Sequence, residues 1–185
     1  MIARIQEPIP ATRGTAPEST IETTRLSLTG FRPADAAALQ AVFADPATAR
    51  MTHAIPHPFT PDDALTKLAR MMQAPDAHYA IRTGDEALIG VVSLTRGACG
   101  RAADLHTFGP NLSVFVAPAH QRQGYATEAI DGLLRRVKKR KLHRVIHAAH
   151  FADNLASARL LVHADFLYTG RRTMETSRAR EGQHQ

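Results

Sequence analysis

The segment from Val114 to Ala129 constrains the fold more than any other part of the chain. The apolar run Leu112–Ala117 is typical of a strand, and Pro118 ends it. A short loop with Gly124 follows, and from Thr127 an amphipathic helix is predicted. Its apolar residues recur at the i, i+3, i+4 and i+7 positions, namely Ile130, Leu133, Leu134 and Val137. The segment therefore predicts a strand, a glycine-containing turn and a helix in direct succession.

Such a helix start is typical of a phosphate-binding turn. The first N–H groups of a helix lack intrahelical partners and lie at the positive end of its dipole. Gly124 and Ala126 leave room for a diphosphate, and Arg122 adds a positive charge. The alternative is a purely structural junction, since strand–glycine–helix turns are common. A Walker loop and a dinucleotide fingerprint are both disfavoured, because only Gly124 stands where those motifs need several glycines.

The other periodic segments predict one mixed α/β domain. Helix-like segments begin at Pro33, Thr60 and Leu155, and Thr60-Pro61-Asp62-Asp63 is a strong helix start. Residues 97–109 contain three glycines and predict a loop. The resulting order β-α-α-β-β-β-α-β-α-β indicates helices around a single sheet. The remaining strand-like segments are residues 25–31, 77–82, 87–95, 144–149 and 166–169.

Length and composition exclude several classes of protein. A chain of 185 residues predicts one domain, and we expect residues 1–22 to be a flexible segment and residues 23–185 to form the domain. Apolar stretches are too short for a transmembrane helix, and no signal peptide is predicted at the start. The single Cys99 excludes an internal disulfide. These features predict a cytoplasmic protein with a basic bias, since the net charge is +6.

We predict no metal site. His143, His147 and His150 are spaced somewhat like metal ligands, but no carboxylate lies among them. In a strand over residues 144–149, side chains alternate between faces, so His143 and His147 would point away from His150. Cys99 lies between Gly97 and Gly100 without an activating base nearby in the sequence, which is typical of an unreactive surface cysteine.

Four segments together resemble the GNAT N-acetyltransferases. Gln121-Arg-Gln-Gly-Tyr-Ala126 resembles their Gln/Arg-x-x-Gly-x-Gly/Ala signature, and Asn154-Leu-Ala-Ser157 with Phe166 resembles a downstream Asn-x-x-Ser…Gly-Phe segment. Residues 24–35 and 57–64 are similar to the opening of the ribosomal-protein N-terminal acetyltransferase (RimJ/RimL-like) branch. The similarity spans about residues 24–180 in the expected order. It implies a mixed, mostly antiparallel sheet flanked by helices, with a splay between two central parallel strands.

The resemblance also implies a chemistry and a set of site residues. Acetyl-CoA is the implied cofactor, and a primary amine attacks its thioester directly. Catalysis would involve a base for the amine proton and a proton donor for the departing thiolate. The implied catalytic candidates are Ser157, Asn111 and His106. The residues matching the cofactor site are Phe115, Val116, Gln121, Arg122, Gln123, Gly124, Tyr125, Ala126, Thr127 and Asn154.

The chain departs from the family pattern at three places. Asn111 stands where many relatives carry a glutamate base, which leaves His106 and Asp104 as substitutes. Asp165 replaces the glycine before Phe166, and aspartate tolerates the left-handed conformation better than most residues. Relatives also usually continue into a further strand. We therefore expect either that this strand is missing or that a partner chain completes the sheet.

A basic run, residues 135–144, holds seven formal cations. It predicts either a solvated helix end, a contact to the 3′-phosphate of the cofactor, or a surface for an acidic or RNA-bearing partner such as a ribosome. We expect a homodimer that acts on a small-molecule amine or a protein N-terminal amine, without membrane association. The alternatives from other classes are a non-catalytic acyl-CoA-binding sensor and a basic RNA-associated module.

Overall fold

The computed structural model describes residues 1–4, 20–96, 109–179 and 183–184. A sheet with helices on both faces forms the domain. The helices are α1 (Ala36–Phe43), α2 (Pro46–Arg50), α3 (Pro61–Met72), α4 (Tyr125–Lys139) and α5 (Leu155–His163). The strands are β1 (Ile2–Arg4), β2 (Ile21–Glu22), β3 (Ser27–Thr29), β4 (His78–Arg82), β5 (Leu88–Thr95), β6 (Asn111–Val116), β7 (Val145–His147), β8 (Glu175–Thr176) and β9 (Gln183–His184).

The main sheet has seven strands in the order β1-β7-β6-β5-β4-β3-β2. All neighbours are antiparallel except β6 and β7, which are parallel. This parallel pair is joined at one register position, Asn111 opposite His147, and the two strands separate beyond it. The prediction of a mixed, mostly antiparallel sheet with a splay between parallel strands is confirmed. β8 and β9 form a separate two-stranded sheet.

The two faces of the sheet carry different hydrophobic clusters. Because side chains alternate along a strand, Tyr79, Val92 and Val114 pack on the face covered by α4 and α5. On the opposite face, Val91 and Phe115 pack with α1 and α3.

Local sequence signals explain where α3 begins and where α5 ends. Thr60 and Asp63 form a capping box at the start of α3, in which the Asp63 N–H donates to Thr60 Oγ1 at 3.2 Å and the Thr60 N–H donates to Asp63 Oδ2 at 2.9 Å. At the other end of the domain, Asp165 has φ 60° as α5 ends, and the Phe166 N–H donates to the Leu161 carbonyl at 2.9 Å. The predicted tolerance of Asp165 for this conformation is confirmed.

The ends of the segment expected to be flexible differ from that expectation. Ile2–Arg4 pairs with β7, and Ile21–Glu22 pairs with β3. The α-ammonium group of Met1 donates to the Ala148 carbonyl at 2.6 Å. β1 thus pairs along the outer edge of β7. Sequence periodicity did not reveal β1, because three residues are too few for a pattern and its partner is remote in the chain.

Several element boundaries also differ from the predictions. α4 begins at Tyr125 rather than Thr127, because Gly124 rather than a polar side chain occupies the N-cap position. β7 covers Val145–His147 only, a shorter stretch than residues 144–149. Within the described residues 109–179, no strand of the sheet forms over residues 166–169. Phe166 is buried in the core cluster beneath α4 and α5, and Leu167 forms only an isolated β-bridge, with Leu167 and Tyr168 both exposed.

Candidate active site

The separation of β6 from β7 exposes backbone groups of β6. The Ala117 N–H donates to the Ile89 carbonyl of β5 at 2.8 Å. Because donors alternate along an antiparallel strand, the amides of Val114 and Val116 point away from β5, toward β7. At the closed end, the His147 N–H donates to the Pro110 carbonyl at 2.9 Å. The wedge between the strands therefore offers backbone donors and acceptors along the last residues of β6.

The loop from β6 to α4 is held by its own side chains. Gln121 Nε2 donates to the Val116 carbonyl at 2.9 Å, and Gln123 Nε2 donates to the Ala119 carbonyl at 3.1 Å. Arg122 and Gly124 are both left-handed, with φ of 63° and 81°. Left-handed residues in a turn direct neighbouring N–H groups toward one centre, which creates a concavity suited to an anion. The two glutamines therefore shape the loop, and its backbone provides the donors.

The start of α4 adds the field of a 15-residue helix to this loop. Gly124 provides no side-chain cap, so no capping group competes for the first N–H groups. Ala126 and Thr127 are half-buried beside them, and small side chains here leave the approach open. The positive end of the helix dipole and the loop amides are therefore directed at the same place.

Glu128 lies in the first turn of α4, where its negative charge would oppose a bound anion. Its carboxylate is engaged by Thr23 Oγ1 at 2.6 Å, by the Arg25 N–H at 2.7 Å and by Arg25 Nε at 2.7 Å. Burial favours the neutral carboxyl, but these hydrogen bonds outweigh it and hold the pKa of Glu128 below its ordinary value. Glu128 is thus ionised and paired with Arg25 at neutral pH.

Arg25 contacts four residues of the loop before α4 and of its first turn, namely Gln123, Gly124, Tyr125 and Glu128. Besides Glu128, its Nη1 donates to the Gln123 carbonyl at 3.1 Å, and its guanidinium lies 4.7 Å from the centre of the Tyr125 ring. A Cβ on Gly124 would lie 3.3 Å from Arg25 Nη2. The partners are about a hundred residues away in the chain, so no local pattern could have identified Arg25.

Comparison with known proteins identifies the family of this site. A sequence model described as an acetyltransferase (GNAT) domain matches residues 25–167. The chain belongs to the GNAT acetyltransferase family. GNAT acetyltransferases use acetyl-CoA as their cofactor. No curated protein matches the chain in sequence.

Solved GNAT structures share the fold at low sequence identity. A probable acetyltransferase from Chromobacterium violaceum has 23% identity and a TM-score of 0.70, over 97% of this chain and 93% of its own. A ribosomal-protein-S5-alanine acetyltransferase from Vibrio fischeri has 18% identity and a TM-score of 0.65, over 82% of this chain and 84% of its own. A microcin self-immunity acetyltransferase, solved with acetyl-CoA and AMP, has 15% identity and a TM-score of 0.65, over 80% and 82%.

Within this GNAT domain, Phe115 and Val116 direct their side chains away from the wedge. The Phe115 ring lies 5.0 Å from that of Phe43 on the α1/α3 face, and Val116 is buried in the core on the other face. Of these two residues, only Val116 directs its backbone N–H toward the splay, because the backbone groups of Phe115 point to β5. Tyr125 is half-buried and stacks with Arg25.

Asn154 and Ser157 lie together at the start of α5. The Asn154 side chain caps the helix, because its Oδ1 accepts from the Ser157 N–H at 3.0 Å. Ser157 is half-buried beside that cap. The structure thus gives Asn154 a helix-capping role that the family resemblance alone did not reveal.

Of the candidates for the general base, Asn111 lies among the described residues. Asn111 begins β6 at the closed end of the splay, opposite His147. His106, Asp104 and Cys99 lie outside the described residues. Among the residues that are described, no three histidine, cysteine, aspartate or glutamate side chains are grouped so that they could hold a metal ion. The described helices also include none long and apolar enough to cross a bilayer.

On the α1/α3 face, the ammonium group of a lysine lies over an aromatic ring. Lys67 Nζ of α3 lies 4.9 Å from the centre of the Phe43 ring. Burial, and to a lesser extent Arg70, lowers the pKa of Lys67 below its ordinary value. Ser177 Oγ donates to the carbonyl of Thr52, just after α2, at 2.5 Å. The segment around Ser177 therefore packs against this side of the domain.

Proposed function

We propose that this GNAT enzyme transfers the acetyl group of acetyl-CoA to a primary amine, by direct attack of the amine on the thioester. The proposal rests on one observation: the loop before α4, the start of α4 and the gap between β6 and β7 adjoin one another. The loop residues Arg122–Gly124 and the uncapped start of α4 provide amides for the diphosphate, and the adjoining β6–β7 wedge accommodates the pantetheine arm.

The chemistry requires a carbonyl acceptor site and two proton transfers. Backbone N–H groups of β6 that face the wedge would polarise the thioester oxygen, as an oxyanion hole does. We propose that the Ser157 hydroxyl, at the start of α5, supplies the proton to the departing thiolate. Gln121, Gln123, Tyr125, Ala126 and Thr127 would act through the loop and helix backbone that they build.

The acceptor that we propose is a primary amine, either the α-amine of a protein N-terminus or a small molecule. The similarity in fold to a ribosomal-protein-S5-alanine acetyltransferase supports the first of these, and the basic run at the end of α4 would suit a ribosomal partner. We retain dimerisation, ribosome association and a cytoplasmic location as predictions. Equilibrium sedimentation and pelleting with ribosomes test the first two.

Thermal denaturation with acetyl-CoA tests the coenzyme site. At a concentration one hundred times Kd, binding contributes about 2.7 kcal/mol, which corresponds to an increase in Tm of about 5–10 °C. We expect this increase in the wild type and in Gly84→Glu, whose added side chain would enter open space in a distant turn. We expect none in Gly124→Glu, because the side chain would bring negative charge and strain to the turn. An equal increase in both variants would contradict the proposed site.

Turnover then separates the enzyme from the alternative of an acyl-CoA sensor. Release of CoA with a panel of N-terminal peptides and small amines is the expected result. Stabilisation by acetyl-CoA without release of CoA for any amine would favour the sensor. Strongly salt-dependent RNA affinity that acetyl-CoA does not change would instead favour an RNA-associated module.

A further inference from the structure

Three polar side chains form a row across the α1/α3 face of the sheet. His78 of β4 lies opposite Ser93 of β5, and Ser93 lies opposite Ser113 of β6. The neighbouring positions Ala80, Val91 and Phe115 run parallel to this row and are apolar or aromatic. A polar row in an otherwise apolar surface is costly to bury unless its members are bonded to one another.

The first two members of the row are directly hydrogen-bonded. His78 Nδ1 and Ser93 Oγ are 2.8 Å apart, and the Ser93 residue is only 3% exposed. Ser113 and Ser93 are directly opposite on adjacent antiparallel strands, a relation in which Cβ atoms lie about 5 Å apart. At this separation the two serine hydroxyls can hydrogen-bond to each other directly or through one bridging water molecule.

The row ends beside the splay. β6 and β7 are last paired at Asn111, and Ser113 is the next β6 residue on the α1/α3 face. Phe115 follows on that face, where its ring contacts Phe43. Ser113 therefore lies beside the open wedge on the α1/α3 face, whereas His78 lies two strands away.

We propose that His78 is the general base and accepts the proton of the attacking amine through Ser93 and Ser113. The Asn111 side chain cannot act as a base, because an amide does not accept a proton at neutral pH. This inference rests on the proposed acetyl transfer. The ammonium group of the acceptor gives one proton, by way of the serine hydroxyls, to His78 Nδ1. The amine nitrogen then bonds to the acetyl carbon as the C–S bond breaks. The Ser157 hydroxyl gives its proton to the CoA thiolate and is reprotonated by the second proton of the nitrogen, and His78 returns its proton to solvent.

The surroundings of His78 keep the imidazole in the form that a base requires. Burial, and secondly the positive charge of Lys67 on α3, lower the pKa of His78 below its ordinary value of about 6.5. Among the described residues, Lys67 is the charged group identified as acting on this ring, while β5 contributes the uncharged Ser93. His78 is therefore neutral at pH 7, with Nδ1 able to accept a hydrogen bond from Ser93.

The test compares His78→Gln and Ser93→Ala with His163→Gln, which removes an exposed histidine at the end of α5. General base catalysis is typically worth 10²- to 10⁴-fold. We expect kcat to fall at least one hundredfold in His78→Gln and about tenfold in Ser93→Ala, with little change in the KM for acetyl-CoA. The acid limb of the kcat/KM profile should lie below pH 6.5 in the wild type and in His163→Gln, and should disappear in His78→Gln.

Two further measurements do not depend on turnover. Histidine-labelled NMR should show a His78 pKa below 6.5 that rises in Lys67→Met, and addition of acetyl-CoA should shift the His78 resonance. Calorimetry should give the same Kd for acetyl-CoA in His78→Gln and in the wild type. Together they distinguish loss of the proton path from loss of the fold or of coenzyme binding.

The outcomes separate the two proposals. An active wild type with equal kcat and an unchanged acid limb in His78→Gln overturns the proton path and leaves the acetyl transfer intact. So does a His78 resonance that acetyl-CoA does not shift. A wild type that binds acetyl-CoA and acetylates no amine overturns the acetyl transfer, and the proton path with it.

Discussion

The Arg25–Glu128 pair provides a sharp prediction about coenzyme affinity. Arg25→Met removes the cation that faces Glu128 and leaves a carboxylate in the first turn of α4 without its ionic partner. The Arg25 side chain is 48% exposed, so the pair itself contributes little to folding, about 0.5 kcal/mol. The larger consequence falls on a bound diphosphate, because the freed negative charge opposes it.

The magnitude follows from the position of Glu128 in the helix. Four residues beyond Gly124 correspond to about 6 Å along the axis, which puts the carboxylate roughly 9 Å from a diphosphate at the helix start. One charge acting on two at that separation, screened as in water, gives about 1 kcal/mol. We therefore expect Arg25→Met to weaken acetyl-CoA binding about fivefold.

A double-mutant cycle measured by calorimetry identifies the cause. In Arg25→Met/Glu128→Gln the free charge is gone, so Kd should return to within about twofold of the wild type. Glu128→Gln alone should bind acetyl-CoA at least as tightly as the wild type, since it leaves a cation at the turn. Wild-type affinity in Arg25→Met would refute the electrostatic argument. A double variant as weak as Arg25→Met would instead show that Arg25 acts by holding the loop.

Three other predictions concern stability. Asp35→Asn breaks a buried ion pair with Arg82 and should lower the free energy of unfolding in urea by about 3–5 kcal/mol, whereas a loss below 1 kcal/mol would contradict this. Gly132→Ala would place a Cβ 2.7 Å from Thr23 Cγ2 and should cost about 1–3 kcal/mol, an overpacking that Thr23→Ser should relieve. Because the pKa of Glu128 is lowered in the folded state, its stabilisation is present above about pH 4.5 and is lost as pH falls through the folded-state pKa. Acid titration of Tm should show this loss in the wild type and not in Glu128→Gln.

Local signals in the sequence were sufficient for two parts of the fold. The capping residues of α3 and the strand–loop–helix order around Gly124 lie close together in the chain, so patterning and turn chemistry identify them. The splay was expected only from the family resemblance, because divergence of two strands depends on side chains from several elements. The register of the sheet, which aligns His78 with Ser93, depends on long-range pairing that periodicity does not encode.

Remote contacts account for what sequence analysis missed. β1 joins an edge strand more than 140 residues away, through backbone hydrogen bonds that carry no side-chain signal. Arg25 contacts the start of α4 across about a hundred residues of sequence. Asn154 matched a family motif, yet its side chain has a capping role that only the helix geometry reveals. Functional residues of this kind emerge only once tertiary packing brings them together.

A crystal structure of the chain with CoA tests the central claim most directly. We predict density for the diphosphate within hydrogen-bond distance of the amides of residues 122–127, and for the pantetheine arm between β6 and β7. Glu128 should remain paired with Arg25. Density for the coenzyme elsewhere, with the start of α4 occupied only by solvent, would contradict the account.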